Sequence, residues 1–224
     1  NIMKDNIQIK KFKNKKNLFE KCKKIFIKEI SLSQNVMIAG GSTYKNFYKK
    51  LSKLNNLKKV NFFLSDERLS LNKLKRNSYN IKKIFTNKTS NNSRPNFFFD
   101  IKYYNLKNKK QLLKNIKKNF YKMNKKINLA FLGVGDDGHI ASLFKNNNKI
   151  YINSEPFTLS KNKFEKFYRL SFSFNYLKKI KNIVFVLIGN KKNILLDKVK
   201  KNENTTVFSK FLNKTNSSVK IFYV

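Results

Sequence analysis

The chain has 224 residues, with 51 Lys plus Arg against 12 Asp plus Glu, a formal net charge of +39. At 40% hydrophobic and 14% aromatic it can still bury a core, so the charge does not imply a disordered chain. A single cysteine, Cys22, and a single histidine, His139, exclude an internal disulfide and a His/Cys metal cluster.

Residues 14–31 space Leu18, Cys22, Ile25, Phe26 and Ile30 at helical intervals and predict an amphipathic helix. Val36 to Ala39 then reads as a short strand, closed by Gly40-Gly41-Ser42-Thr43, and Tyr44 to Leu54 resumes a helical pattern. The strand–turn–helix unit recurs from Val60 to Leu64, through Ser65-Asp66-Glu67-Arg68, to a helix over Ser78 to Phe85. Ile101 to Tyr104 predicts a strand and Lys109 to Met123 a helix. Ile127 to Leu132 is the clearest buried strand and runs into Gly133-Val134-Gly135-Asp136-Asp137-Gly138-His139. Arg169 to Phe172 and Ile183 to Ile188 predict two strands, Lys191 to Lys200 a helix, and Val219 to Tyr223 a last strand. Residues 86–96 and 145–166 read as surface loops.

This alternation predicts one α/β domain over residues 1–224, a doubly wound, mainly parallel sheet with helices on both faces. In such a sheet ligands bind where the strand C-termini meet the loops. No run approaches the ~18 apolar residues of a membrane span. The first twenty residues are Lys-rich without an apolar segment, so no secretory leader and a cytoplasmic location are expected.

Scarce residues carry more information than common ones here. There are 6 glycines, against about 16 expected at average usage. Gly40 and Gly41 cluster at one predicted strand end, Gly133, Gly135 and Gly138 at another, and Gly189 follows a third. Arginine occurs only at Arg68, Arg76, Arg94 and Arg169, and its planar fork suits phosphate or carboxylate in a way lysine does not.

Gly40 to Thr43 suits a phosphate cradle, with backbone N–H groups at a helix N-terminus and two hydroxyls; it equally suits a tight turn capped by Ser42 or Thr43. In Ser65-Asp66-Glu67-Arg68, Asp66 can act on a substrate while Arg68 holds an anion, but spacing alone favours an internal ion pair. His139 follows a glycine-rich turn two residues after Asp137. A histidine there can take a proton from water near neutral pH, with the carboxylate fixing its tautomer. Asp136 reads as a turn or capping residue.

A basic surface attracts nucleic acid whatever its function. The lysines nevertheless run from Lys4 to Lys220, interleaved with Asn, Ile and Phe, without a recognisable binding module. Those four residue types share A/T-rich codons, and a compositional origin of the charge is the simpler account.

IAGGST (38–43), SDER (65–68) and LGVGDDGHIASLF (132–144) resemble, in order and approximate spacing, the motifs of the 6-phosphogluconolactonase family, which shares a Rossmann-like fold with glucosamine-6-phosphate deaminases. Arg169-Leu170-Ser171 and Gly189-Asn190-Lys191-Lys192 resemble two further family elements. Tyr44 and Lys145 stand where the family commonly has proline, and Asn77 to Asn80 aligns with its Ser-Asn element in more than one way. Deaminases resemble GHIAFNEP, with an acid shortly after the histidine; this chain reads GHIASLFK.

The resemblance implies hydrolysis of 6-phospho-D-glucono-1,5-lactone to 6-phospho-D-gluconate, the second step of the oxidative pentose phosphate pathway, with no metal and no organic cofactor. His139 would be general base, Asp137 its orienter, Arg68 a stabiliser of charge or holder of substrate, and Asp66 an acceptor from sugar hydroxyls. The phosphate would lie on Gly40, Gly41, Ser42 and Thr43, with Arg169 and Lys192 as cationic partners. The expected partner is a phosphorylated sugar lactone, with no membrane and no specific nucleic acid, and the oligomeric state is open. The alternatives are a deaminase or isomerase of the same fold and a basic nucleic-acid binder.

Overall fold

The computed structural model describes residues 4–86, 94–98, 106–123, 125–145 and 148–224. Seven strands form one sheet: β1 (Ile7–Lys11), β2 (Asn35–Ile38), β3 (Asn61–Leu64), β5 (Asn96–Phe98), β6 (Leu129–Gly133), β9 (Asn182–Leu187) and β10 (Ser218–Tyr223). Their order is β1-β10-β9-β6-β2-β3-β5, and every neighbouring pair is parallel. The mainly parallel, doubly wound expectation therefore holds.

Both faces of the central strands are buried, which explains why these strands read as continuous apolar runs. Alternate side chains go to opposite faces. Val36, Ile38, Phe62, Leu129 and Phe131 pack against α1 (Lys15–Leu32), α2 (Lys45–Leu51) and α3 (Asn77–Thr86). Met37, Phe63, Ala130, Leu132 and Phe185 pack on the other face, against α4 (Lys109–Met123), α6 (Asn190–Lys200) and α7 (Val207–Lys214). A short helix α5 (Phe174–Leu177) joins the second layer. Asn14 caps α1 by accepting from the Asn17 N–H at 2.9 Å. No helix among the described residues is long and apolar enough to cross a membrane.

A second, antiparallel sheet of order β4-β8-β7 corrects the sequence reading. Asp66–Arg68, read as the end of a strand, is itself a strand, β4; Tyr168–Phe172 is β8; and Phe157–Lys161, inside a stretch read as loop, is β7. Three residues are too few to show a periodicity, and the alternation of β7 rests on two apolar residues alone, Phe157 and Leu159. The edge strand β1 and helix α7 were also missed: lysines dilute the Ile7/Ile9 alternation, and α7 spans only 8 residues. The strand expected over Ile101 to Tyr104 lies outside the described residues.

Topology fixes where a site can form. From β2 the chain passes through α2 to β3 on one side, whereas beyond β6 it reaches the main sheet again at β9, on the other. Adjacent β2 and β6 are therefore the point where the winding reverses, and the crevice outside their C-terminal ends is the expected ligand site. Gly40–Thr43 follows β2, and Gly133–His139 closes β6.

Candidate active site

A cleft of about 220 Å³ occupies that crevice. Gly40, Gly41, Ser42 and Thr43 form one wall; Gly133, Gly135 and His139 form another; Asp66 and Arg68 from β4 and Arg169 from β8 complete it. The sequence motifs thus converge, although they lie up to 130 residues apart (169 − 39, from Ala39 to Arg169). Asp137 stands behind His139 rather than on the wall, and Lys192 does not line the cleft.

The glycine turn is held from below. The hydroxyl of Tyr44, the residue that departs from the family's proline, is fully buried and donates to the Leu132 carbonyl at 2.8 Å, with the Val184 carbonyl 3.3 Å away. Burial pushes its phenol well above the ordinary range, so it stays a neutral donor. Tyr48 donates to the Ala39 carbonyl and ties α2 to the end of β2. Neither Ser42 nor Thr43 caps α2: the N-cap is Tyr44, without a side-chain bond. Their hydroxyls have no hydrogen-bond partner among the described residues, and the capping alternative drops out.

The loop after β6 folds back on itself through bridges from Ile140 to Val134 and Leu143, and the Gly135 N–H donates to the His139 carbonyl at 2.8 Å. The His139 ring then lies on Gly135, where a Cβ would stand 2.1 Å from its Nδ1 and Cε1. No larger residue fits there. His139 Nδ1 is 2.5 Å from Asp137 Oδ1, and the same oxygen accepts from the His139 backbone N–H at 3.2 Å. This bond lowers the Asp137 carboxyl to about 2, against partial burial that opposes it. With Nδ1 engaged by the carboxylate, Nε2 is the nitrogen left for chemistry. Phe144 packs on the imidazole with ring centroids 4.8 Å apart.

Asp136 is a turn residue, as expected, and it also binds Lys192 at 2.6 Å and Lys191 at 3.7 Å. The Lys192 hydrogen bond lowers its carboxyl. Lys192 is thus committed to a carboxylate beside the cleft.

The ion pair expected within Asp66-Glu67-Arg68 is not formed among the described residues. As a strand, the segment turns Asp66 toward β8 and Ser142: Asp66 accepts from Ser142 Oγ at 2.5 Å and Ser65 Oγ at 3.1 Å and lies 3.8 Å from the Arg169 guanidinium. Arg68 Nε is buried without a hydrogen-bond partner among the described residues. Arg169 is clamped by both oxygens of Glu165, at 2.5 and 2.7 Å. Burial disfavours its charge, but Glu165 and Asp66 outweigh that and raise its pKa.

Sequence reasoning gave no role to Glu67, Asn77, Ser142 or Glu165. Glu67 is 1% exposed, and its two oxygens accept from the backbone N–H groups of Asn77 and Ser78, both at 2.7 Å, at the start of α3, and of Arg68 at 2.6 Å. Burial raises its carboxyl while these donors oppose the shift. Asn77 lines the cleft, packs on Gly40 and donates to the Asp66 carbonyl at 3.0 Å. Glu67 had a visible signal, an acid between two candidate site residues, but its partners ten residues on were not legible.

Comparison with known proteins agrees with this geometry. Residues 14–219 match the model of the family described as glucosamine-6-phosphate isomerases/6-phosphogluconolactonase. A Dictyostelium discoideum protein named "Probable 6-phosphogluconolactonase" is 30% identical over 182 residues, covering 74% of this chain and 73% of that one. The fold is shared with 6-phosphogluconolactonases from Thermotoga maritima (TM-score 0.79, 21% identity, 97% and 99% of the two chains covered) and Shewanella baltica (TM-score 0.81, 16% identity, 100% and 99% covered). The chain belongs to the glucosamine-6-phosphate isomerase/6-phosphogluconolactonase family.

Proposed function

We propose that this chain is a 6-phosphogluconolactonase, hydrolysing 6-phospho-D-glucono-1,5-lactone to 6-phospho-D-gluconate. The observation that carries the reading is His139 on one wall of the cleft, backed by Asp137 at 2.5 Å, facing a glycine turn whose two hydroxyls have no partner among the described residues. The named Dictyostelium relative supports the same activity.

In the proposed mechanism His139 Nε2 takes a proton from water as the oxygen attacks the lactone carbonyl carbon. The tetrahedral intermediate then collapses, the bond from that carbon to the ring oxygen breaks, and the imidazolium returns its proton to the departing oxygen. Asp137 holds the ring and stabilises its transient charge. Arg68 faces the developing oxyanion or the substrate's anionic groups, and Asp66 accepts from a sugar hydroxyl with its remaining lone pairs. The phosphate lies on the backbone and hydroxyls of Gly40–Thr43, with Arg169 beside it; Lys192 reaches it only by leaving Asp136. Residues 1–224 act as one catalytic domain on a cytoplasmic sugar phosphate.

The deaminase reading has less support, because the residues after His139 are Ile140, Ala141, Ser142, Leu143 and Phe144, without an acid. Two assays decide between them. Freshly generated 6-phosphogluconolactone should disappear faster with the protein than without it, and glucosamine 6-phosphate should release no ammonia. Ammonia release without lactone turnover would reverse the assignment.

A further inference from the structure

Beside the cleft lies a larger cavity whose helical lining, from α2 and α3, the lactone scheme does not use. Its volume is about 600 Å³, inside the ~300–1,000 Å³ range of pockets that hold organic ligands. Helices α2 and α3 form its sides. Lys45 and Lys49 from α2, Lys83 from α3 and Arg68 from β4 line it together with an apolar wall of Ile81, Ile84 and Tyr48. Gly41, Ser42, Arg68 and Asn77 line both spaces and form the partition between them.

None of the three lysines has an ion-pair partner among the described residues, and the acids on these elements are otherwise engaged: Asp66 with Ser142 and Arg169, Glu67 with backbone N–H groups. The three lysines are exposed at the cavity's rim, where an anionic group can reach all of them through charge-assisted hydrogen bonds. A sugar phosphate supplies the charge but has no flat apolar part to cover Ile81 and Ile84, and it fills only a fraction of the volume. A ligand that satisfies both walls carries phosphate groups and a planar apolar ring.

We propose that this cavity is a second ligand site for a phosphorylated compound of nucleoside-diphosphate size. Its phosphates meet Lys45, Lys49 and Lys83, leaving Arg68 to the cleft, and its ring lies against the half-buried Ile84, with Ile81 and Tyr48 buried behind it. The site is separate from the catalytic cleft and its occupancy does not depend on the lactonase assignment.

The test is calorimetric titration of the full chain with ADP, inorganic phosphate and adenosine at ~0.15 M salt, where long-range attraction to the basic surface is screened. ADP should bind at least ~10-fold more tightly than either fragment, a difference of about 1.4 kcal/mol or more. Ile84→Trp, which fills the cavity without changing charge, and the double variant Lys49→Glu/Lys83→Glu should each weaken ADP by ~10-fold or more. The double variant Lys110→Glu/Lys114→Glu on α4, across the sheet, should leave it unchanged. Circular dichroism checks that each variant is folded; should Ile84→Trp not fold, the lysine variants decide. Equal weakening by the α4 control, ADP binding indifferent to both cavity variants, or complete displacement of ADP by 6-phosphogluconate would each overturn the proposal.

Discussion

Arg68 on β4 and Arg169 on β8 are directly opposite each other in the antiparallel ladder, and both line the cleft. Like charges in that relation destabilise a sheet. Arg169 is compensated by Glu165 and Asp66, whereas Arg68 has no carboxylate within ion-pair distance among the described residues. The fold therefore holds a guanidinium without an ion-pair partner among the described residues in the cleft, with Glu165 acting on it at longer range, as the proposed anion-holding role requires. Arg68→Met should leave the melting temperature unchanged or higher while raising KM for the lactone at least ~10-fold. A lower melting temperature with unchanged KM would make Arg68 a structural residue instead.

The Asp137–His139 pair has a defined pH signature. Its folded pKa of about 2 lies below the ordinary 3.8 because His139 donates to it. The folded state then binds fewer protons than the unfolded state inside that window. The contribution to stability is complete above the upper value and disappears as pH falls through the lower one. The Asp137 side chain is 65% exposed, so the effect is modest and weakens with salt. Denaturant unfolding of the parent and Asp137→Asn should give a stability gap that narrows on acidification; a widening gap would contradict the assignment.

Glu67 anchors the site rather than reacting in it. Three backbone N–H groups converge on its buried carboxylate, two of them orphan donors at the start of α3. Glu67→Gln turns an amide –NH₂ toward one of these donors and should destabilise the fold by about 1–3 kcal/mol. Because Arg68 and Asn77 hang from the same carboxylate, KM should rise as well. Urea unfolding together with steady-state kinetics reads both, and an unchanged midpoint would remove Glu67 from the scaffold.

Gly135→Ala tests the packing of the imidazole. The new methyl would overlap the His139 ring, so the ring must move off Asp137 Oδ1. Turnover should fall by ~10² or more, the scale on which a positioned general base contributes. The His139 imidazole proton resonances should shift with it. Unperturbed resonances and normal turnover would show that the loop accommodates the methyl elsewhere.

The five inner strands of the main parallel sheet are readable because they are buried and the rare glycines mark strand ends, whereas the exposed edge strands β1 and β5 are not. Nor is the second sheet, since a three-residue strand such as Asp66–Arg68 has no period and takes its partners from residues a hundred positions later. The same limit applied within the site. His139 and Asp137 are two residues apart and their pairing is local, so the sequence exposed it. The Asp66–Arg169 contact depends on β4 meeting β8, and the local reading substituted an ion pair within Asp66–Arg68 that the extended backbone does not form; the clamp on Arg169 by Glu165 is only four residues long but starts in a stretch read as loop. Lys192 enters the expected site through the resemblance of Gly189-Asn190-Lys191-Lys192 to a family turn, and only the folded chain shows it bound to Asp136.

The most direct measurement follows 6-phosphogluconolactone by NMR as it opens to the acid, with no enzyme, with the parent and with His139→Asn, each protein checked for an unchanged melting temperature. The parent should open the ring well above the spontaneous rate, and His139→Asn should lose ~10²–10⁴ of kcat. A variant that opens the lactone as fast as the parent would contradict the assignment of His139 as the base.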